Sequence, residues 1–201
     1  MNNPLTILQT LDRKLGRKVN LVVYGRAAIA LGFADPPADS FITEDVDSIL
    51  SDRLVGGVSN DMEFWDALKD TNQELAALGL YMTHLFEEQQ VILTSDWLDN
   101  RVPIATGLTN IHLSRPSTIH LVLTKMMRGN DRQDIVDIKF LLGSERITPA
   151  MLKAAFDRAI VPDFPEIEDS FNRLKPDALA YCEKIRGRFV PPQSPGDMPP
   201  L

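Results

Sequence analysis

The sequence has a single cysteine and no long uncharged apolar run. Cys182 is the one cysteine among 201 residues, which excludes an internal disulfide framework and a four-cysteine zinc site. Residues 1–20 are interrupted by charged side chains and contain no apolar stretch typical of a secretory signal. No uncharged apolar segment reaches membrane-spanning length. We therefore expect a cytoplasmic protein with no membrane partner.

The sequence also lacks an excess of basic residues. Its net charge of −7 argues against a general nucleic-acid-binding protein, which carries a strongly basic face. Transient contact with an RNA end is still compatible with this charge, because a local patch can override the global sign. The three histidines show no metal-ligand spacing, and no Ser-His-Asp or Cys-His grouping is visible. Covalent hydrolase chemistry is therefore not expected.

The chain does have enough apolar residues for a core, 44% of the sequence. Apolar residues at helical spacing, together with N-cap signals, predict helices over residues 3–15, 27–31, 62–78, 117–128 (or from 114), 132–142, 149–160, 166–174 and 176–186. Extended apolar runs predict strands over residues 19–24, 42–50 and 102–104, and a β-hairpin over 80–93 with Glu87-Glu88 at its tip.

This order of elements predicts an α+β fold: a small mixed β-sheet with flanking helices, followed by a helical C-terminal bundle. We place the α+β core in residues 1–115 and the helical part, packed on it, in residues 116–189. Residues 190–201 contain five prolines and are predicted to be a disordered tail.

Two carboxylates, Asp45 and Asp47, flank the apolar Val46 in the predicted strand 42–50. Side chains alternate along a strand, so residues i and i+2 point to the same face. Hard oxygen ligands suit Mg²⁺, which proteins usually bind through one or two carboxylates together with substrate phosphates. The spacing predicts that Asp45 and Asp47 converge on one metal ion.

An apolar strand that breaks at Gly25 lies about twenty residues before this pair, and an alanine-rich helix follows it. Backbone N–H groups at a helix N-terminus favour a phosphate. Gly25 is therefore predicted to lie at a strand-to-helix turn within reach of the two carboxylates. A phosphate cradle followed by a D-x-D strand is the minimal arrangement for metal-assisted nucleotidyl transfer.

These motifs resemble those of the polymerase-beta-like nucleotidyltransferase superfamily, and within it the small bacterial AbiEii-like branch, which includes toxins of toxin–antitoxin systems. The branch has the pattern G-[GS]-x-A-x-x-L, then T-x-D-[VIL]-D, then a helical lysine and an R…D…D cluster. The matching residues here are Gly25, Arg26, Ala28, Leu31, Thr43, Asp45, Asp47, Lys125, Arg128, Asp131, Asp134 and Asp137. Order and approximate spacing agree across residues 20–142.

The resemblance implies a role for each matched residue. Asp45 and Asp47 are the metal ligands and catalytic carboxylates, and Lys125 and Asp134 are further catalytic residues. The nucleotide is bound by Gly25, Arg26, Thr43 and Lys125. From position alone, Asp131 is explained as a helix N-cap.

The sequence departs from the branch at Arg26, which stands where the pattern has Gly or Ser. This cation either binds the triphosphate or marks an altered or lost activity. The superfamily also commonly has a third metal carboxylate on the next strand. Glu87, Glu88 and Asp96 are the candidates, and the sequence does not choose among them. His84 either faces the site or is a satisfied half-buried histidine, and the second is favoured.

The resemblance implies an Mg²⁺-dependent enzyme that transfers a nucleoside monophosphate from an NTP to an acceptor, either a tRNA 3′ end or a protein side chain. The branch includes toxins of toxin–antitoxin pairs, and a protein of that kind would bind a cognate antitoxin. The alternative is a non-catalytic nucleotide- or partner-binding module that retains the fold. An antitoxin or regulator contacting DNA finds little support, because no basic recognition helix stands out.

Overall fold

The computed structural model describes residues 2–129 and 131–187, and within these residues the chain has an α+β fold with seven α-helices and a five-stranded mixed sheet. The helices are α1 (Asn3–Lys14), α2 (Gly25–Gly32), α3 (Met62–Leu75), α4 (Thr118–Lys125), α5 (Arg132–Ser144), α6 (Pro149–Arg158) and α7 (Pro165–Gly187). The strands are β1 (Val19–Tyr24), β2 (Asp47–Leu50), β3 (Leu85–Glu87), β4 (Val102–Pro103) and β5 (Ile111–Arg115).

Strand β1 lies at the centre of the sheet, whose order is β3-β2-β1-β5-β4. It pairs antiparallel with β2 and parallel with β5, while β3 runs parallel to β2 and β4 runs antiparallel to β5. Leu21 and Val23 pack into the main core on one face, and Val22 packs with Trp97 on the other. Burial on both faces explains why β1 is a near-continuous apolar run.

Elements with clear local signals in the sequence are confirmed. Strand β1 covers the predicted residues 19–24. Helix α1 begins after Asn2, whose side chain accepts a hydrogen bond from the Leu5 N–H, and the predicted caps Asp131 and Thr148 begin α5 and α6 in the same way. Gly79 ends the segment after α3 in a left-handed conformation, with φ of 66°.

The predicted strand over residues 42–50 is wrong in its first half. A 3₁₀ turn covers Ala38–Ile42, and regular pairing with β1 begins only at Asp47. The turn is stabilised by Ser40, whose N–H and Oγ both donate to the Pro37 carbonyl. Asp45 instead forms an isolated parallel bridge with Tyr81.

The predicted hairpin over residues 80–93 is also wrong. Strand β3 is only three residues long and pairs parallel with β2. A 3₁₀ turn over Glu88–Gln90 follows it, because Glu87 and Gln90 form a reciprocal capping box. The chain then leaves the sheet, and Leu93 pairs with Ile160 next to α6.

The sequence analysis missed β5, which pairs with the central strand. Its sequence, I-H-L-S-R, alternates apolar and polar residues and ends at Arg115, which is not typical of a buried strand. Arg115 is nevertheless buried, because its guanidinium lies over the Phe33 ring and pairs with Glu145. Helix α4 therefore begins at Thr118, after Ser117, and ends at Lys125 rather than at residue 128.

The two helices predicted over residues 166–186 form the single helix α7, with Pro176 inside it. Phe171, Leu174, Ala178 and Cys182 lie on one buried face that continues past the proline. This packing outweighs the backbone hydrogen bond that Pro176 cannot donate.

One core cluster joins α1 to α7, from Ile7 to Cys182, so the strand-containing segment and the C-terminal helices share their apolar interior. No helix in the described part of the chain combines the length and apolar character needed to cross a lipid bilayer. The predicted tail, residues 190–201, lies outside the described residues.

Candidate active site

The turn between β1 and α2 requires a glycine. Gly25 has φ of +65°, a conformation that side-chain-bearing residues rarely adopt. A Cβ atom at this position would also lie 2.9 Å from Asp47 Oδ2. The absence of a side chain therefore lets the first residue of α2 and the Asp47 carboxylate lie in contact.

Asp45 and Asp47 lie on either side of the fully buried Val46 and point into the same cleft. Asp47 pairs with Tyr24 across the β1–β2 ladder, which places its carboxylate beside the turn at Gly25. Thr43 Oγ1 donates a 2.8 Å hydrogen bond to Asp45 Oδ1 and orients that carboxylate. The two carboxylates lie together beside Gly25, although only Asp47 lies in a strand, and their role as metal ligands stays a prediction.

The charge on Asp47 is disfavoured in the folded protein. Burial, and then the nearby Asp45 carboxylate, raise the pKa of Asp47 to about 6. The pKa of Tyr24, buried beneath the same carboxylates, is also raised, first by burial and then by Asp47. A bound cation would favour the ionised form of the pair.

Lys125 is buried rather than solvent-exposed, with only 7% of its side chain accessible. Its Nζ lies 2.8 Å from Asp134 Oδ1 and 2.8 Å from Asp137 Oδ2. The Arg128 guanidinium donates two further hydrogen bonds to Asp134, of 2.9 and 3.0 Å. Both oxygens of Asp134 are therefore engaged, and its contacts suit it to hold Lys125 and Arg128 in place at the edge of the cleft.

Arg26, the departure from the family pattern, lies in the first turn of α2 and lines the cleft. Its Nη2 lies 2.9 Å from Asp39 Oδ1. Its buried Nε has no hydrogen-bond partner among the residues that the structure describes. A donor of this kind carries a desolvation cost that an anionic ligand would offset.

His84, favoured in the sequence analysis as a satisfied half-buried residue, instead faces the site, and about half of its side chain is exposed. Its Nδ1 lies 3.2 Å from Asp47 Oδ1 and 3.7 Å from Asp45 Oδ2. No sequence pattern predicts this contact, because it depends on the parallel pairing of β3 with β2. One potential ligand atom from each of these three residues lies within 4.8 Å of the other two.

The three candidate third carboxylates lie away from the cleft. Glu88 accepts hydrogen bonds from Arg53 and Trp97. Glu87 caps its 3₁₀ turn, and Asp96 pairs with Arg158. Among the described residues that line the cleft, the third group beside Asp45 and Asp47 is therefore His84.

A Ser-His-Asp grouping does exist outside the cleft, contrary to the expectation from sequence. Ser117 Oγ lies 2.7 Å from His120 Nδ1, and His120 Nε2 lies 2.7 Å from Thr94 Oγ1. Thr94 Oγ1 in turn donates to Asp96. Because the Thr94 hydroxyl donates its proton to Asp96, it accepts the hydrogen bond from His120 Nε2. His120 Nδ1 then accepts a hydrogen bond from the Ser117 hydroxyl.

This chain of hydrogen bonds is best explained as structural. Burial lowers the pKa of His120 to about 4, which makes it a weak base at neutral pH. Its ring is buried between α4 and the segment that carries Thr94. The bonds satisfy a buried polar side chain and tie these two segments together.

The donor set of the cleft fits a divalent cation. Asp45 and Asp47 lie together, and the ion pairs described for them are both with the imidazole of His84. The cleft has a volume of about 380 Å³, within the range of about 300–1,000 Å³ that is common for small-molecule sites. Comparisons of the chain with protein-family models, curated proteins and solved structures found no match.

Proposed function

We propose that this cleft is the active site of a metal-dependent nucleotidyltransferase. The observation that carries the proposal is the contact of the positive-φ turn at Gly25 with Asp47, whose carboxylate lies with that of Asp45 in a cleft that Lys125 and Arg128 also line. The family resemblance implies a strand, a glycine turn, a helix and a neighbouring D-x-D segment, and here the last of these leads into β2.

In this proposal, different residues of the cleft bind different parts of an NTP. The N-terminus of α2 supplies unpaired backbone N–H groups for the phosphates. Arg26 supplies an unpartnered Nε donor. Lys125 and Arg128 also line the cleft and are held there by ion pairs with Asp134. Positive charge held in place favours the phosphoryl transition state, where negative charge spreads over the phosphate oxygens.

The reaction forms a bond between an acceptor oxygen and the α-phosphorus and breaks the bond to the β-phosphate oxygen, so that pyrophosphate leaves. Asp45 and Asp47 would hold the divalent ion, which, when bound, polarises the phosphate oxygens and stabilises the attacking and leaving oxygens. Thr43 orients Asp45, and Asp134 positions Lys125 and Arg128.

By resemblance, the acceptor is a tRNA 3′ end or a protein side chain, and the protein acts as the toxin of a pair with a cognate antitoxin. The second candidate is a nucleotide- or partner-binding module without transfer activity. Two observations favour it: Arg26 replaces the small family residue, and the candidate third carboxylates lie outside the cleft.

The test is incubation of the protein with each α-labelled NTP, Mg²⁺ or Mn²⁺, and either total tRNA or cell lysate. Transfer of label by the wild type, absent in Asp45→Asn and Asp47→Asn, is expected. Glu44→Gln, which removes an exposed neighbouring charge, is the matched control and retains activity.

Melting curves with and without metal–NTP separate the two candidates. A nucleotide-dependent rise in melting temperature without label transfer favours the binding module. Absence of both the rise and the transfer with all four NTPs overturns the nucleotidyltransferase and favours the partner-binding form of the second candidate. Arg26→Ser, which restores the family residue, is expected to raise the KM for the NTP if Arg26 binds phosphate.

A further inference from the structure

His84 immediately precedes β3 and lies beside the carboxylates Asp45 and Asp47. Its carbonyl accepts a 2.9 Å hydrogen bond from the Ser48 N–H, so His84 lies beside the start of β2, next to Asp47. Its ring stacks on Phe86, with centroids 5.9 Å apart and planes 13° apart. Main-chain pairing and stacking together fix the direction of the imidazole.

The His84 side chain has no hydrogen bond within the described part of the chain. Its ion-pair contacts are with Asp47 Oδ1 and Asp45 Oδ2, at 3.2 and 3.7 Å. Neither contact has hydrogen-bond geometry, and about half of the side chain is exposed to solvent. A half-exposed histidine directed at two carboxylates without a hydrogen bond is typical of a ligand set.

The two carboxylates direct one oxygen each towards His84. Asp45 Oδ1 is engaged by Thr43, which leaves Oδ2 on the side of the imidazole. Asp47 Oδ2 lies against Gly25, which leaves Oδ1 on that side. Adjacent ligands on an ion with bonds of about 2.1 Å are about 3 Å apart, close to the observed separations.

We propose that Asp45, Asp47 and His84 form a three-ligand site that selects a divalent transition ion over Mg²⁺, with Mn²⁺ as the member of this class used as the probe. Imidazole nitrogen suits transition ions, whereas carboxylates suit Mn²⁺ and Mg²⁺ alike. Mg²⁺ prefers oxygen ligands and retains its waters, so it gains little from His84. The inference rests on the cleft of the proposed function and names the class of ion that the cleft takes.

The test measures metal binding without nucleotide, by the electron paramagnetic resonance signal of free Mn²⁺ and by calorimetry for Mg²⁺. His84→Ala is expected to weaken Mn²⁺ binding at least tenfold, within the range of about 10–100-fold for metal-site partners, and to change Mg²⁺ binding less than about threefold. His84→Asp is expected to bind Mg²⁺ more tightly than the wild type. His112→Ala, at an exposed histidine of β5, is the control and binds as the wild type does.

Unchanged Mn²⁺ binding in His84→Ala, or an equal loss of Mn²⁺ and Mg²⁺ binding, overturns the inference. If Asp47→Asn abolishes Mn²⁺ binding while His84→Ala does not, the site uses carboxylates alone, and the proposed function survives. If Mn²⁺ binding depends on His84 but no NTP is ever transferred, the inference stands and the proposed function fails.

Discussion

The Asp47 side chain combines a functional position with an electrostatic cost. Its folded-state pKa of about 6 exceeds the ordinary value of 3.8, first because the group is buried and then because Asp45 is close. The folded protein therefore binds more protons than the unfolded chain between these pH values. The loss of folding stability caused by charging Asp47 is absent below about pH 4 and complete above about pH 6.

We expect Asp47→Asn to raise the free energy of unfolding of the metal-free protein by about 1–3 kcal/mol at pH 8, since one pKa unit corresponds to about 1.4 kcal/mol. The gain is expected to vanish near pH 4, where the wild-type carboxyl is protonated. Urea unfolding in EDTA at several pH values measures both effects, with Glu44→Gln as the control. A variant that is less stable than the wild type at pH 8 would make Asp47 a structural carboxylate.

His120 has the opposite dependence on pH. Burial lowers its pKa to about 4 from the ordinary value of 6.5, so the unfolded chain binds more protons in this window. Its contribution to stability is complete above about pH 6.5 and is lost as the pH falls towards 4.

His120→Gln is expected to be less stable than the wild type at pH 7.5, because it disrupts the hydrogen bonds to Thr94 and Ser117. The deficit is expected to shrink by up to about 3 kcal/mol by pH 4.5, as the wild type loses the contribution of its neutral histidine. Denaturant unfolding at the two pH values measures this change, and His112→Gln serves as the exposed control. A deficit independent of pH would contradict the buried neutral imidazole.

At the scale of elements, the turn from β1 to α2 couples backbone conformation to the position of a carboxylate. Gly25 and Gly79 have nearly the same φ, 65° and 66°. A Cβ atom at Gly25 would meet Asp47, whereas one at Gly79 would meet nothing within 4 Å. A comparison of the two glycines therefore separates the cost of backbone strain from the steric displacement of Asp47, the proposed metal ligand.

We expect Gly25→Ala and Gly79→Ala each to lose about 1–2 kcal/mol of stability, the cost of a left-handed conformation for a residue with a Cβ. Only Gly25→Ala is expected to weaken Mn²⁺ binding, by about tenfold or more, because Asp47 must move. Chemical denaturation and metal titration of both variants provide the comparison. Equal metal binding by the two variants would show that Asp47 tolerates the added methyl group.

Elements with local signals could be predicted from sequence, and those set by distant contacts could not. The caps Asn2 and Asp131 and the apolar run of β1 mark their elements within a few residues. Strands β3 and β5 have no such mark, because each is stabilised by pairing with a strand far away in sequence. The same distinction applies to the cleft: the i, i+2 carboxylates were predictable, whereas the position of His84, just before β3, was not.

At the scale of the whole molecule, Asp12 ties the N-terminal helix to the sheet. Its buried carboxylate in α1 accepts hydrogen bonds from the N–H groups of Thr109, Asn110 and Ile111, at 2.7–3.0 Å. These residues lead into β5, nearly a hundred positions further along the chain. One side chain thus holds the start of the strand that pairs with the centre of the sheet.

Asp12→Ala is expected to lower the free energy of unfolding by about 3 kcal/mol, because it leaves three N–H groups without their charged acceptor. Asp12→Asn retains one carbonyl oxygen and is expected to lose less. Asp70→Ala, on an exposed position of α3, is the control and changes stability by under about 0.5 kcal/mol. A loss below about 1 kcal/mol in Asp12→Ala would mean that water replaces the carboxylate.

Distant parts of the chain line the cleft: the carboxylates come from the first half, Lys125 is the last residue of α4, and Arg128 lies between α4 and α5. During synthesis the N-terminal portion emerges from the ribosome first. A nascent chain would display its acidic ligands while the groups that neutralise a triphosphate are still being made. Under the proposed function, the chain would therefore become able to bind a nucleotide only late in translation, after α4 and α5 have docked.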